Sequence, residues 1–266
     1  DQEILSGYVG WGGLPQAFDE NNAAWSAEYA ELKEILTEEE YRAARASTLN
    51  AFYTPPMVIR SMYGTLERMG LSGGNVLEPS CGIGNFMGMV PDSMQDIRMY
   101  GVELDGISAG IARQLYQKNP IAAKGFEETQ FPDSFFDAVI GNVPFGNYKL
   151  ADRRYDRQNF LIHDYFIAKS LDLVRPGGVV AVITSSGTMD KRGESVRQYI
   201  AARADLLGAV RLPNNAFRRN AGTDVVADIL FFQKRDRAVL EMPEWTHISQ
   251  TPEGHEINSY FAMHPD

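Results

Sequence analysis

The sequence predicts an α/β fold in which a mainly parallel sheet carries helices on both faces and a helical extension comes first. Two observations carry this expectation. From residue 75 onward, short apolar runs of strand character alternate with longer stretches of helical period, the pattern of strand–helix–strand units. Two of those runs also end in loops of ligand-binding type, Glu78-Pro79-Ser80-Cys81-Gly82-Ile83-Gly84-Asn85-Phe86 and Asn142-Val143-Pro144-Phe145. In an open α/β sheet, ligands bind in the crevice beyond the carboxyl ends of the strands.

Taken in order, residues 1–50 read as an acidic helical extension. Tyr8-Val9-Gly10-Trp11-Gly12-Gly13-Leu14-Pro15 is turn-rich, and its aromatics are expected to anchor it against the body. Helices are expected over 28–36 and 38–46, the second opened by a capping box in Thr37-Glu38-Glu39-Glu40. Pro55-Pro56 open an amphipathic helix over 57–69. Residues 51–237 form the main domain. Its strand candidates are 75–79, 97–104, 122–126, 136–143, 178–184, 206–212 and 225–233, with helices over 85–90, 106–118, 160–174 and 190–202. No helical period separates the last two strands, so the final one is expected to run antiparallel at or near the edge. Residues 238–266 form a tail or a linker to a missing domain, and Trp245, Tyr260 and Phe261 are expected to pack on something. The chain starts at Asp1 rather than methionine and stops at Pro265-Asp266, which predicts a piece of a larger protein.

Composition narrows the class. The 266 residues are 44% hydrophobic and 23% charged, ordinary values for a domain with a buried core. No apolar run approaches the roughly 18 residues that span a bilayer. A single cysteine, Cys81, rules out an internal disulfide framework and fits a reducing, cytoplasmic compartment. Four scattered histidines and that cysteine form no zinc set, so no metal site is expected. With a net charge of −10, any contact with nucleic acid has to be local or supplied by another part of the molecule.

The chemistry sits in the strand-end loops. Gly82 and Gly84 allow close approach of the backbone to a ligand. Met87 stands where a nicotinamide-type fingerprint needs a third glycine, and no Gly-Lys-Ser/Thr follows to cradle phosphates. Glu78 faces a cationic or amino-bearing ligand, and Glu103, ending the next strand, suits ribose hydroxyls. Asn142 and the Val143 carbonyl can accept hydrogen bonds from an amino group while Phe145 stacks on a flat heterocycle. Together these point to a nucleoside-type cofactor and to work on the exocyclic amine of a base.

These motifs resemble those of class I S-adenosylmethionine-dependent methyltransferases of the Rossmann-like type, specifically adenine-specific DNA amino-methyltransferases of the restriction-modification branch. The resemblance covers about residues 50–235 and implies a mostly parallel seven-stranded sheet. Phe52-Tyr53-Thr54-Pro55-Pro56 resembles the branch's additional N-terminal motif. By resemblance, the cofactor is S-adenosylmethionine and its site comprises Tyr53, Thr54, Glu78, Pro79, Cys81, Gly82, Gly84, Phe86, Glu103, Phe126 and Glu127. Thr54 and Glu78 would lie near the methionine moiety and Glu103 on the ribose. Gly125-Phe126-Glu127 departs from the family's third-strand motif, and either Phe126 or Glu127 could meet the cofactor base. Asn142, Val143, Pro144 and Phe145 would form the catalytic tetrapeptide, with Val143 replacing the usual proline, a change expected to loosen the loop. Lys149, Arg153, Arg154, Arg218 and Arg219, with Arg157 and Arg211, could track phosphates beside a flipped adenine of double-stranded DNA. The Gly-Trp-Gly-Gly-Leu-Pro and Ile-Asn-Ser-Tyr-Phe segments are similar to those of large helicase–methylase polypeptides of mobile elements and phages, which implies helicase or other domains as partners. Rival readings are methylation of a protein glutamine or an RNA base, or a decayed cofactor- or DNA-binding module.

Overall fold

A computed structural model describes residues 1–12, 14–48, 53–214 and 226–265. Arg218 and Arg219 therefore lie outside the described residues, as do Gly13 and Phe52. The chain forms two compact units, the first from Asp1–Gly73 with Glu78–Thr129, the second from Gly74–Leu77, Gln130–Asn214 and residues 226–265.

Unit 1 begins with helices α1 (Gln2–Ser6), α2 (Ser26–Ile35), α3 (Glu38–Ser47) and α4 (Pro56–Arg68). The predicted capping box is present at α3, where the Thr37 hydroxyl accepts from the Glu40 N–H and the Glu40 carboxylate accepts from the Thr37 N–H. Ala17, Phe18, Leu32, Tyr41 and Ala44 form a small core, against which Trp11 and Trp25 pack. The turn-rich opening packs within the N-terminal extension itself, through the edge of Trp11 on Phe18 at 5.4 Å. Strands β2 (Asp96–Glu103) and β3 (Ile121–Ala123) run parallel, with helix α5 (Gly106–Leu115) between them in sequence. The predicted helix at 85–90 is not formed. One tight turn at Met87–Met89 stands there, after a loop in which Gly82 and Gly84 take positive φ.

Unit 2 holds most of β1 (Gly73–Glu78), then β4 (Phe136–Asn142), helix α6 (Ile162–Leu173) and β5 (Val174–Ser185). Short helices α7 (Gly187–Asp190) and α8 (Ser195–Ala201) follow, then β6 (Ala204–Arg211) and β7 (Ala227–Lys234). The expected helix at 190–202 is thus split, with Gly193 in the break. Phe136, Ala138, Val139 and Ile140 of β4 and Val180 to Ile183 of β5 are fully buried. Such unbroken apolar runs are what strands covered on both faces require. Each large side chain so buried contributes about 1.5–3 kcal/mol.

The strand order is β3-β2-β1-β4-β5-β7-β6. Strand β4 runs parallel to β1 and β5, whereas β7 is antiparallel to β5 and β6, as expected. β7 is inserted between them, which leaves β6 as the edge. The C-terminal segment forms a hairpin of β8 (Ile248–Gln250) and β9 (Glu256–Asn258) and helix α9 (Ser259–Met263). Trp245 and Phe261 are buried, as their sequence predicted. The Asn258 amide donates to the Met189 and Trp245 carbonyls, and the buried Arg197 donates to the Thr246 carbonyl. These bonds stitch the segment onto α7 and α8.

Candidate functional site

In unit 1 the glycine loop and the end of β2 are built around one carboxylate. Glu103 is half-buried, and each of its oxygens accepts a backbone bond at 2.8 Å, one from Gly82 and one from Asp105. The Cys81 N–H donates to the Val102 carbonyl at 2.9 Å, which holds the loop along the strand. Gly82 and Gly84 both take positive φ, +53° and +89°. A side chain on Gly84 would begin 2.5 Å from the Tyr116 ring, so the loop closes only with glycine there. Tyr53 lays its ring over Gly82, 3.6 Å from where a side chain would start.

Glu78 and Thr54 are buried in the same unit. The Glu78 Oε2 atom has no hydrogen-bond partner among the described residues. Burial, and then the charge of Glu103, hold the Glu78 carboxyl well above the usual carboxylate range. Glu103 is pushed up to about 7 by burial, against the pull of its backbone donors. Two acids raised in this way would be relieved by a cation beside them. Cys81 is buried and its thiol is pushed far up by that burial, so it is a packing group and a poor nucleophile.

The remaining predicted positions divide. Pro79 is buried in the turn that leaves β1. Phe86 is a core side chain whose ring faces Tyr63 and whose carbonyl accepts the Tyr63 hydroxyl at 2.8 Å. Phe126 is buried in a tight turn, Phe126–Glu128, just past β3, and Glu127 folds back over Gly125.

In unit 2 the tetrapeptide leaves β4 at the sheet's carboxyl edge. Asn142 pairs with Ile183, and the Val143 N–H extends the ladder by donating to the Ile183 carbonyl at 3.0 Å. Proline has no N–H to make that bond. The loosening expected from valine therefore has a counterweight, a ladder bond that the usual residue lacks.

The following loop is tied to α6. Asp152 accepts from the Tyr165 hydroxyl at 2.8 Å and from Lys169 at 3.3 Å, while the Tyr155 hydroxyl donates to Asp172 at 2.6 Å. Arg154 is engaged by Asp133 and Asp172, and Lys149 donates to Asn159. Arg211 forks onto the buried Asp228 and also meets Asp190. Arg153 and Arg157 are exposed. Behind the strand ends, buried Asp164 accepts from Thr188 at 3.0 Å and pairs with Lys191, and Thr188 meets Thr184. His163 is buried beside Asp164, its Nε2 3.7 Å from Oδ1, as a helix-interior residue.

Three further side chains stand beside these loops. Leu104 stands 65% exposed directly after Glu103, and that position was its signal. Tyr148 folds over Gly146 three residues past Phe145 and is 41% exposed. Tyr8 reaches the neighbourhood of Asp105, Ser108 and Glu103, for which no local sequence signal exists.

A family model described as N-6 DNA Methylase matches residues 34–246. The chain is 30% identical over 228 residues to the "Defense against restriction protein B" of Escherichia phage P1, covering 82% of this chain and 10% of that protein. It is 24% identical over 222 residues to the "Type I restriction enzyme EcoEI methylase subunit" of Escherichia coli, covering 71% of this chain and 43% of that one. Among solved structures, a modification subunit from Vibrio vulnificus superposes with a TM-score of 0.57 at 20% identity, covering 91% of this chain and 56% of that one. That likeness establishes the Rossmann-like fold. The chain thus spans well under two thirds of the length of these curated relatives.

Proposed function

The chain belongs to the N-6 DNA methylase family, and from that membership we propose that it transfers a methyl group from S-adenosylmethionine to the exocyclic amine of adenine in DNA. The observation that carries this reading is the tetrapeptide at the end of β4, Asn142 to Phe145 with its extra ladder bond at Val143. The acids of unit 1 fit the cofactor. Glu78 has an unpartnered buried oxygen and Glu103 a raised pKa, and S-adenosylmethionine carries both a sulfonium and an ammonium. When bound, it supplies an electrophilic methyl group. Thr54 and Glu78 would hold its methionine end, Glu103 its ribose and the Gly82–Gly84 loop its nucleoside.

The Asn142 side chain and the Val143 carbonyl would accept the two amine protons, aiming the nitrogen lone pair. Phe145 would stack on the target base, a contact of about 1–3 kcal/mol. With an activated methyl donor, positioning and preorganised acceptors suffice and no strong base is required. Arg153 and Arg157 are exposed near this loop in sequence and would meet phosphates around a flipped adenine. The match to a tenth of the phage protein supports a methylase portion within a longer polypeptide; a helicase as partner rests on the resemblance of the Gly-Trp-Gly-Gly-Leu-Pro and Ile-Asn-Ser-Tyr-Phe segments alone. The lone buried thiol supports a reducing compartment such as the cytoplasm.

The test is transfer of labelled methyl to DNA, RNA and protein acceptors, with Asn142→Ala beside the unaltered protein. Incorporation into adenine of DNA that vanishes in Asn142→Ala, with cofactor affinity retained, is expected. Labelling of glutamine or RNA in place of DNA would overturn the acceptor, and full activity in Asn142→Ala would overturn the role of the tetrapeptide.

A further inference from the structure

The first turn of the chain brings a second tyrosine to the acids of unit 1. Helix α1 packs against α5, which carries Tyr8, just beyond α1, to the start of α5. Trp11 meets Tyr8 edge-on at 6.4 Å and is itself locked on Phe18. That aromatic chain fixes Tyr8 from behind.

The Tyr8 hydroxyl is buried and makes no hydrogen bond of normal length among the described residues, with Ser108 and Trp11 as its polar neighbours. Its neighbours are already committed. Asp105 caps α5 by accepting from Ile107 and Ser108, and the Ser108 hydroxyl donates to Asp105 at 2.6 Å. Both Glu103 oxygens accept backbone bonds but retain further lone pairs. Tyr53, whose ring covers Gly82, lies within electrostatic reach of Tyr8, Glu103 and Asp105. Burial, then Asp105, push the Tyr8 phenol upward, so it keeps its proton throughout the physiological range. A buried O–H without an acceptor is unfavourable, and its position beside the proposed ribose acid suits a sugar hydroxyl.

We infer that Tyr8 is a cofactor-positioning residue whose hydroxyl bonds the ribose that Glu103 holds, so that the N-terminal segment forms part of the nucleoside pocket. This rests on the assignment of Glu103 to the cofactor ribose. Tyr8→Phe keeps the ring and its contact with Trp11 and removes only the hydroxyl.

Calorimetry with S-adenosylhomocysteine and its 2′-deoxy and 3′-deoxy analogues tests the assignment, alongside Glu103→Ala and thermal unfolding without ligand. Tyr8→Phe is expected to weaken S-adenosylhomocysteine roughly fivefold to tenfold, the size of one neutral hydrogen bond. The loss should disappear with whichever analogue lacks the hydroxyl that Tyr8 meets. The unliganded melting point should stay level, because the deleted hydroxyl makes no hydrogen bond of normal length in the fold. Equal weakening of all three ligands, no weakening at all, or a lowered unliganded melting point would each overturn the role of Tyr8 while Glu103→Ala still weakens binding. If Glu103→Ala binds normally, the ribose assignment itself falls, and this inference with it.

Discussion

Cofactor binding should be coupled to proton release, and the size of the effect follows from Glu103. Its carboxyl is raised to about 7, chiefly by burial, from an ordinary value of 4.5. A cationic cofactor whose ribose hydroxyls donate to this group binds the carboxylate form. In the free protein, about half of the Glu103 carboxyls are protonated at pH 7 and about ten in eleven at pH 6. Binding at pH 7 should therefore release about half a proton from this residue, and the Kd should rise roughly tenfold between pH 8 and pH 6. Glu78, also held up by its burial and then by the charge of Glu103, adds to the release if it ionises on binding. The unliganded fold has the opposite slope. A carboxyl raised above its unfolded value contributes stability that is fully present below about pH 4.5 and lost as the pH rises through about 7. Calorimetry in two buffers of different ionisation heat measures the release, and Glu103→Gln, which cannot titrate, should flatten the dependence. A Kd that is level from pH 6 to 8 with buffer-independent heat would refute the reasoning. So would a Glu103→Gln protein that keeps the full slope.

Three other perturbations probe separate links. Phe145→Ala should raise the DNA KM by about fivefold to a hundredfold if the ring stacks on the base, with cofactor affinity unchanged; a level KM removes that role. Asp164→Ala strips the buried partner from Lys191 and Thr188 and should cost about 3–5 kcal/mol, read from the urea midpoint. A midpoint that moves by under a fifth of that would show the network to be dispensable. Thr37→Ala removes the capping box of α3 and should cost about 1 kcal/mol, visible as a lower melting temperature of the N-terminal helices.

Much of this protein was legible because the determining interactions are local. The buried strands β4 and β5 show as apolar runs, since a strand covered on both faces admits no polar alternation. The α3 capping box is written in four consecutive residues, and the Asn142 and Glu103 motifs each stand at a strand end that hydropathy alone locates. Where the sequence predicts a helix at 85–90, only a short turn forms at Met87–Met89, with Tyr116 lying beside Gly84 and Gly88.

The sequence by itself determined the alternation of elements and the standing of Glu78, Glu103 and the Asn142 tetrapeptide at strand ends. Only the tertiary structure decided how the flanking groups are used. It inserts β7 between β5 and β6, spends Arg154 and Arg211 on internal carboxylates and lets Val143 make a ladder bond that proline would forbid. It also carries Tyr8 to Asp105 and Glu103, nearly a hundred residues away along the chain. Local propensity specifies φ and ψ for neighbours, but which distant side chain satisfies a buried charge or hydroxyl depends on where packing places it. No periodicity in the chain encodes that placement.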